Sequence, residues 1–453
     1  IIQILCRLRK FTQMASSADE WSLSTASSVY SRHPKPFSNE EDVRQFVDNI
    51  YDMYLTAYES EVRLVYRSNE DVGPDHQDPD WYRPFIKTVR KNKQYTVGLM
   101  PGNKYGQPVR HRLLDKDIPH IISALRTRNV QILNLPYNRI KDDGILTIAN
   151  FLKQNSSLKI LNLMGNEFTG KGAANLFEAL RENMVLKELR INGNNIGKEG
   201  GLSAAETIGA NTNLASLDLG STSLTIEPIV AIITMLQKNS NLNSITLNNP
   251  LLIDSDSWQL TVLNKLLKIN SSLVELQLKS WNIQDSDLEL MLSPDISEFP
   301  LQCLDLGQNH LGEKSAIILS RFLKQFDNLV ILQLSTNSLK DIGAYHISMA
   351  LTETRLLKFL NLESNQITGL GLSTIAEALI YNCTLAEILL WGNEFDELAC
   401  EAFWHLEEEN ILAGLRCDIK PYLLDNKPTV CRACVPQFST RSVYYEVPRY
   451  GDK

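Results

Sequence analysis

The chain has 453 residues, 43% of them hydrophobic, with 45 Lys and Arg against 53 Asp and Glu and a net charge of −8. That balance excludes a basic nucleic-acid footprint spread over the whole chain, because phosphate binding needs clustered positive charge. A mean hydropathy of −0.18, with no apolar run approaching the ~18–20 residues of a membrane helix, describes neither a disordered chain nor one that crosses a bilayer through helices.

In chain order, the opening Ile1-Ile2-Gln3-Ile4-Leu5-Cys6 is apolar, but Arg7, Arg9 and Lys10 follow where a secretory signal would carry its apolar core. Met14-Ala15-Ser16-Ser17 reads as a start, so residues 1–13 are expected to be upstream sequence and residues 1–37 a Ser-rich tail. Ser38, followed by Glu40, Glu41 and Asp42, reads as a helix start with an acidic first turn, and Val43, Phe46, Val47, Ile50, Tyr54 and Tyr58 form one apolar stripe behind it. Residues 68–84, rich in Asp and Pro, read as an extended arm, so 38–84 is expected to be a helix and arm that order on a partner. Lys87, Arg90, Lys91 and Lys93 make a short basic patch, which reads either as a solvated face or as a contact for an acidic protein partner. Residues 85–129, with a helix over Asp115–Arg128, read as an N-terminal cap.

From residue 130 the chain repeats. The pattern L-x-x-L-x-L-x-x-N-x-L recurs ten times, starting at Val130, Leu158, Leu186, Leu214, Leu242, Leu273, Leu301, Leu329, Leu357 and Leu385; every interval is 28 residues except one of 31. Leu-x-Leu alternation is the period-two signature of a strand with one buried face. A helical stripe follows, as in Ala173, Leu176, Phe177 and Leu180 after Gly172. One strand and one helix cannot bury both apolar faces alone, but stacked copies can.

A 28-residue leucine-rich repeat with a full helix resembles the ribonuclease-inhibitor subclass of leucine-rich repeat proteins, over residues 130 to about 410. The resemblance implies an α/β fold: a curved solenoid with a parallel sheet inside and helices outside, ten repeats over 130–409, and a C-terminal cap and tail over 410–453. The same scaffold serves inhibitors, GTPase-activating proteins and immune sensors, so function must be argued from sites. The run Leu389-Leu390-Trp391-Gly392-Asn393-Glu394-Phe395-Asp396, the irregular middle copies and Lys420-Pro421-Tyr422 narrow the resemblance to one vertebrate branch. That branch implies expression in differentiating or ciliated cells and a nuclear or nucleolar pool.

Asn stands at the ninth repeat position in seven copies, where an amide can satisfy backbone groups at the turn; the middle copies carry Thr222, Pro250 and Trp281 instead. Pro and Trp cannot replace the amide acceptor, which leaves two readings: tolerated irregularity, or a shaped docking point with Trp281 exposed as an anchor. Strand alternation turns the third, fifth and seventh positions toward the hollow of the arc. There Ile132, Ile160 and Met164 form an apolar cluster at one end, and Ile331, Phe359, Leu389 and Trp391 another. These residues and Arg190, the concave arginine that a GTPase-activating role would need, are the expected partner-binding residues.

Chemistry-bearing motifs are weak. Gly165-Asn166-Glu167-Phe168-Thr169-Gly170-Lys171-Gly172 nearly matches a phosphate-binding loop but has Gly172 where a hydroxyl should be. Cys431-Arg432-Ala433-Cys434 would need Cys417 and His405 to complete a zinc site. Seven scattered cysteines point to a reducing compartment and away from the cysteine-rich ribonuclease inhibitors. Asn155, Asn270 and Asn382 begin formal glycosylation motifs but also fall at helix-to-strand turns. The expectation is a non-enzymatic interaction scaffold without cofactor or metal, binding other proteins and neither membrane nor nucleic acid. It would sit in the cytoplasm, in a ciliary or sperm axonemal assembly, or alternatively in the nucleus.

Overall fold

The computed structural model describes residues 64–68, 96–100, 112–126, 128–252, 258–294, 296, 301–326 and 328–433. The expected helix over 38–58, the 69–84 part of the arm, the basic patch at Lys87–Lys93, Cys434 and residues 1–37 lie outside them.

Among the described residues, thirteen parallel strands form one sheet in sequence order. They are β1 (Leu64–Ser68), β2 (Thr96–Met100), β3 (Ile132–Asn134), β4 (Ile160–Asn162), β5 (Glu188–Arg190), β6 (Ser216–Asp218), β7 (Ser244–Thr246), β8 (Glu275–Gln277), β9 (Cys303–Asp305), β10 (Ile331–Gln333), β11 (Phe359–Asn361), β12 (Glu387–Leu389) and β13 (Arg416–Cys417). The helices are α1 (Ile118–Leu125), α2 (Asp142–Leu152), α3 (Gly170–Glu182), α4 (Gly197–Ala210), α5 (Ile226–Leu236), α6 (Trp258–Ile269), α7 (Asp285–Met291), α8 (Glu313–Gln325), α9 (Lys340–Leu351), α10 (Gly369–Tyr381) and α11 (Glu397–Glu408). An antiparallel hairpin, β14 (Ile419–Leu424) with β15 (Lys427–Arg432), ends the described chain. Strands repeat at ~4.8 Å but helices need ~8–10 Å, so the stack bends with its strands inside.

All ten first-position residues, Val130 to Leu385, are buried in one continuous core that also takes the helix stripe Ala173, Leu176, Phe177 and Leu180. The register is the same from strand to strand: Leu161 pairs with Leu189, Leu217 with Ile245, and Leu332 with Leu360. Burial of one leucine column therefore fixes every other column. The sheet also runs upstream of the first repeat, with β2 pairing Val97 to Leu133 and β1 pairing Leu64 to Thr96. Val97 and Leu99 are buried where ladder residues stand in later repeats, so strands occupy part of the segments read as arm and cap.

Two devices repeat with the leucines. The eighth position is left-handed in every copy, at Tyr137, Gly165, Gly193, Ser221, Asn249, Ser280, Gln308, Thr336, Ser364 and Gly392. This kink lies three residues past each strand, and the ninth-position side chain beside it is buried in most copies. There Asn166 donates from Nδ2 to the carbonyls of Leu163 (2.8 Å) and of Leu135 in the preceding repeat (2.9 Å), and its Oδ1 accepts from the Ile140 N–H. Asn309, Asn337 and Asn393 make the same intra- and inter-repeat pairs of bonds, so the column ties each repeat to the previous one.

A second ladder runs along the helix starts. The Asp142 carboxylate accepts from the backbone N–H groups of Thr169 (2.8 Å) and Gly172 (3.0 Å) in the next repeat, capping α3 from outside its own helix. Asp285 and Asp341 cap α8 and α10 in the same way. A Cβ on Gly172 would lie 2.5 Å from the Asp142 Oδ1. The glycine in the phosphate-loop-like run is thus explained by this cap, and Gly165 of the same run by its left-handed φ of 63°. Asp142→Ala should cost about 1–2 kcal/mol and Gly172→Ala about 1–3 kcal/mol. The double variant should cost less than the sum, because removing the carboxylate removes the clash; urea denaturation of all three measures it.

Candidate protein-interaction face

The concave face is built from three columns, the third, fifth and seventh residues of each repeat. In the fifth column short polar residues close the strand end: Asn162, Asp218, Asp305 and Asn361 each accept from the backbone N–H two residues on, at 2.8–3.0 Å. Their polarity is therefore structural. Lateral bonds tie the columns together. Ser244 donates to Glu275 (2.7 Å), Gln277 donates to the other oxygen of Glu275 (2.7 Å), and Asn361 bridges Gln333 and Glu363. Seen as a whole the columns are acidic: Glu188, Asp218, Glu275, Asp305, Glu363, Glu387 and Asp418 face them, against Arg190, Lys279 and Arg416.

Access is uneven. Glu188, Arg190, Ser216, Asp218, Ser244, Thr246, Glu275 and Gln277 are buried, whereas Asp305, Gln333, Glu363, Leu389 and Trp391 are half-buried. This corrects part of the expected partner-binding set. Met164, Ile331 and Phe359 are buried, because in-register strands stack third- and seventh-position side chains so closely that each covers the next, as Ile331 and Phe359 do. Ile132 and Ile160 are half-buried, and so are Leu389 and Trp391. Arg190 is buried and its Nε meets the Glu188 carboxylate at 2.5 Å, so it is held within the sheet rather than presented to a GTPase.

Trp281 is the clearest correction. It is 3% exposed and its indole N–H donates to the Leu247 carbonyl at 2.7 Å. That bond replaces the inter-repeat bond of the missing Asn, with the longer indole spanning the longer repeat. Trp281 still has no acceptor to offer, and the preceding copy carries Pro250, which has no N–H at the place where Trp281 itself donates to Asn309 (2.9 Å). The two irregular residues compensate each other. Thr222 keeps only the bond inside its own repeat, to Leu219 (2.6 Å).

At the C-terminal end β13 stops at Cys417, and the side chain of the next residue, Asp418, completes the bonding of the β12 end. Its two carboxylate oxygens accept from Leu390 N–H (2.7 Å) and Trp391 N–H (2.9 Å); elsewhere the first of these groups donates to a carbonyl of the next repeat, and the second to the fifth-position side chain of its own repeat, which here is the apolar Leu389. The β14–β15 hairpin lies alongside, with the Arg432 guanidinium 6.0 Å from the Trp391 ring centre and 3.5 Å from Glu363. Burial holds the Cys417 thiol up to about 12 and also raises Cys400. Among the described residues no three His, Cys, Asp or Glu side chains gather as a metal site. The amides of Asn270 and Asn382 are buried and bonded to carbonyls of earlier repeats, which accounts for these residues as turn anchors.

Next to this end, Glu387 is buried with Arg416 3.6 Å away, and its Oε2 has no hydrogen bond. Burial pushes its pKa up to about 7; Arg416 opposes the shift and Asp418 adds to it. A carboxyl raised in the fold destabilises when ionised: the penalty is full above pH 7 and fades as pH falls toward the unfolded value of 4.5. Glu387→Gln should therefore melt higher than the parent at pH 8, with the gap closing by about pH 5. Parallel melts across that range test it.

A leucine-rich repeat family model matches residues 128–149, 154–177, 182–203 and 355–376, on the strands and helices described above. The chain has a leucine-rich repeat fold. This leucine-rich repeat chain is 30% identical over 78 residues to leucine-rich repeat-containing protein 34 of Rattus norvegicus, a match covering 17% of this chain and 18% of the relative. Among solved structures, the leiomodin-1 actin-binding site 2 superposes with a TM-score of 0.29 at 25% identity, covering 36% of this chain and 90% of that one. A structure of the yeast Rad7–Elc1 complex gives a TM-score of 0.43 at 15% identity, covering 92% and 96%. No described helix is long and apolar enough to cross a membrane. Leucine-rich repeat solenoids are typically non-enzymatic scaffolds that hold proteins on an extended concave surface.

Proposed function

We propose that this chain is a non-enzymatic scaffold whose partner docks on the C-terminal half of the concave face, between Asp305 and Trp391. What carries the reading is the composition of the half-open stretch: Asp305, Gln333 and Glu363, then the apolar Leu389 and Trp391. From β9 to β12 it spans three strand spacings, roughly 14 Å, the length of about ten helical residues. A basic segment ending in an apolar anchor matches it in charge and shape. Affinity purification and mass spectrometry from native tissue should recover partners with the parent chain that are lost with Asp305→Lys/Glu363→Lys and with Trp391→Ala. Recovery of the same partners by all three, or reproducible substrate turnover by the pure chain, would overturn the proposal.

The cellular setting we favour is a ciliary or sperm axonemal assembly, motivated by the long rigid repeat body. Its test is the presence of the chain in isolated axonemes. Absence there, with the chain found in nuclei or nucleoli, would favour the nuclear alternative.

A further inference from the structure

On the outer face, one repeat position changes character toward the C-terminus. It holds Asp143, Lys171, Glu199, Glu227, Ser286 and Lys314 in the earlier repeats other than the irregular fifth, then Ile342, Leu370 and Leu398 in the last three. The apolar side chains there are 52%, 61% and 46% exposed, so the core does not need them. Because they recur every 28 residues on adjacent helices, they stand in a line at ~8–10 Å spacing. Tyr345 and Met349, three and seven residues after Ile342 on α9, are also exposed and widen the line into a patch.

The patch has charged flanks of opposite sign. On one side α8 exposes Lys314 and Arg321; on the other α11 exposes Glu397 and Glu401. A surface that is basic, apolar and acidic in order is complementary to itself under a two-fold rotation. With the axis lying along the helices between α9 and α10, Ile342 of one copy meets Leu370 of the other, and α8 meets α11 on both sides. Four helices of about 20 Å at 8–10 Å spacing offer a footprint of roughly 700–800 Å², near the ~800 Å² per partner of a stable interface. We infer that this outer face pairs with a second copy of the same chain, forming a dimer that leaves the concave face free.

The test is sedimentation velocity of the full chain. The parent should be dimeric at about 100 µM and weaken with added salt. Leu370→Lys puts at this position the residue that Lys314 already provides in an earlier repeat, so the fold should melt as before while dimer dissociation rises at least about tenfold. Lys314→Glu/Arg321→Glu and Glu397→Lys/Glu401→Lys should each be monomeric alone, since like charges then face each other, and should form a mixed dimer when combined. A monomeric parent, a Leu370→Lys dimer of unchanged strength, or charge variants that fail to pair would each overturn the inference. Every one of these outcomes is independent of the concave substitutions above.

Discussion

Trp281→Ala should lower unfolding stability by about 3–5 kcal/mol, the cost of emptying a large aromatic site. Trp281→Phe, which keeps most of the volume but removes the N–H donor to Leu247, should cost about 1–3 kcal/mol. Urea denaturation gives both values. Hydrogen exchange adds a local reading, because in a repeat protein each repeat is supported mainly by its neighbours: protection should fall first around β7 and β8. An exposed docking anchor would behave in the opposite way, leaving stability intact when truncated. A Trp281→Ala variant as stable as the parent would refute the buried bond.

Asn309→Leu should be nearly as damaging, by about 3 kcal/mol, because it strands several buried backbone groups at once. Its Oδ1 accepts from the N–H groups of Trp281 (2.9 Å) and Ile283 (3.1 Å), and its Nδ2 donates to the carbonyls of Leu278 (3.1 Å) and Leu306 (2.9 Å). Asn309→Asp keeps the acceptor and loses the donor, so it should fall between Leu and the parent. Since Asn309 holds the backbone of Trp281, the two sites belong to one network. A double-mutant cycle of Asn309→Leu with Trp281→Phe should show a coupling above about 0.5 kcal/mol, read from the same denaturation curves. Strict additivity would mean that the two repeats are not joined through this bond.

The repeat body was legible because its signal is redundant. A buried leucine column, a left-handed eighth residue and a ninth-position amide recur at one spacing, so any one of them sets the register of the others. The upstream strand β2 escaped the pattern for the same reason in reverse. It keeps Val97 and Leu99 of the ladder, but Gln94 stands where the first leucine would be and Gly102 where the Asn would be. Side-chain exposure was less legible. Strand alternation gives the direction in which Ile331, Phe359 or Met164 points, but not how completely the next strand's side chain covers it.

By itself the sequence determined the class of fold, the register of β3 to β12, the side of the sheet on which each side chain stands and the place where the repeat becomes irregular, since a period-two strand and a fixed repeat length leave no other arrangement that buries every leucine. Only the tertiary structure decided what the irregular residues do: an indole N–H reaching a carbonyl 34 positions earlier, a carboxylate at Asp418 closing the end of β12 just past β13, and Asp142 capping a helix in the next repeat. The physical reason is that each of these is a bond between neighbouring repeats. Its distance depends on how the repeats stack, and no residue pattern within one copy records that.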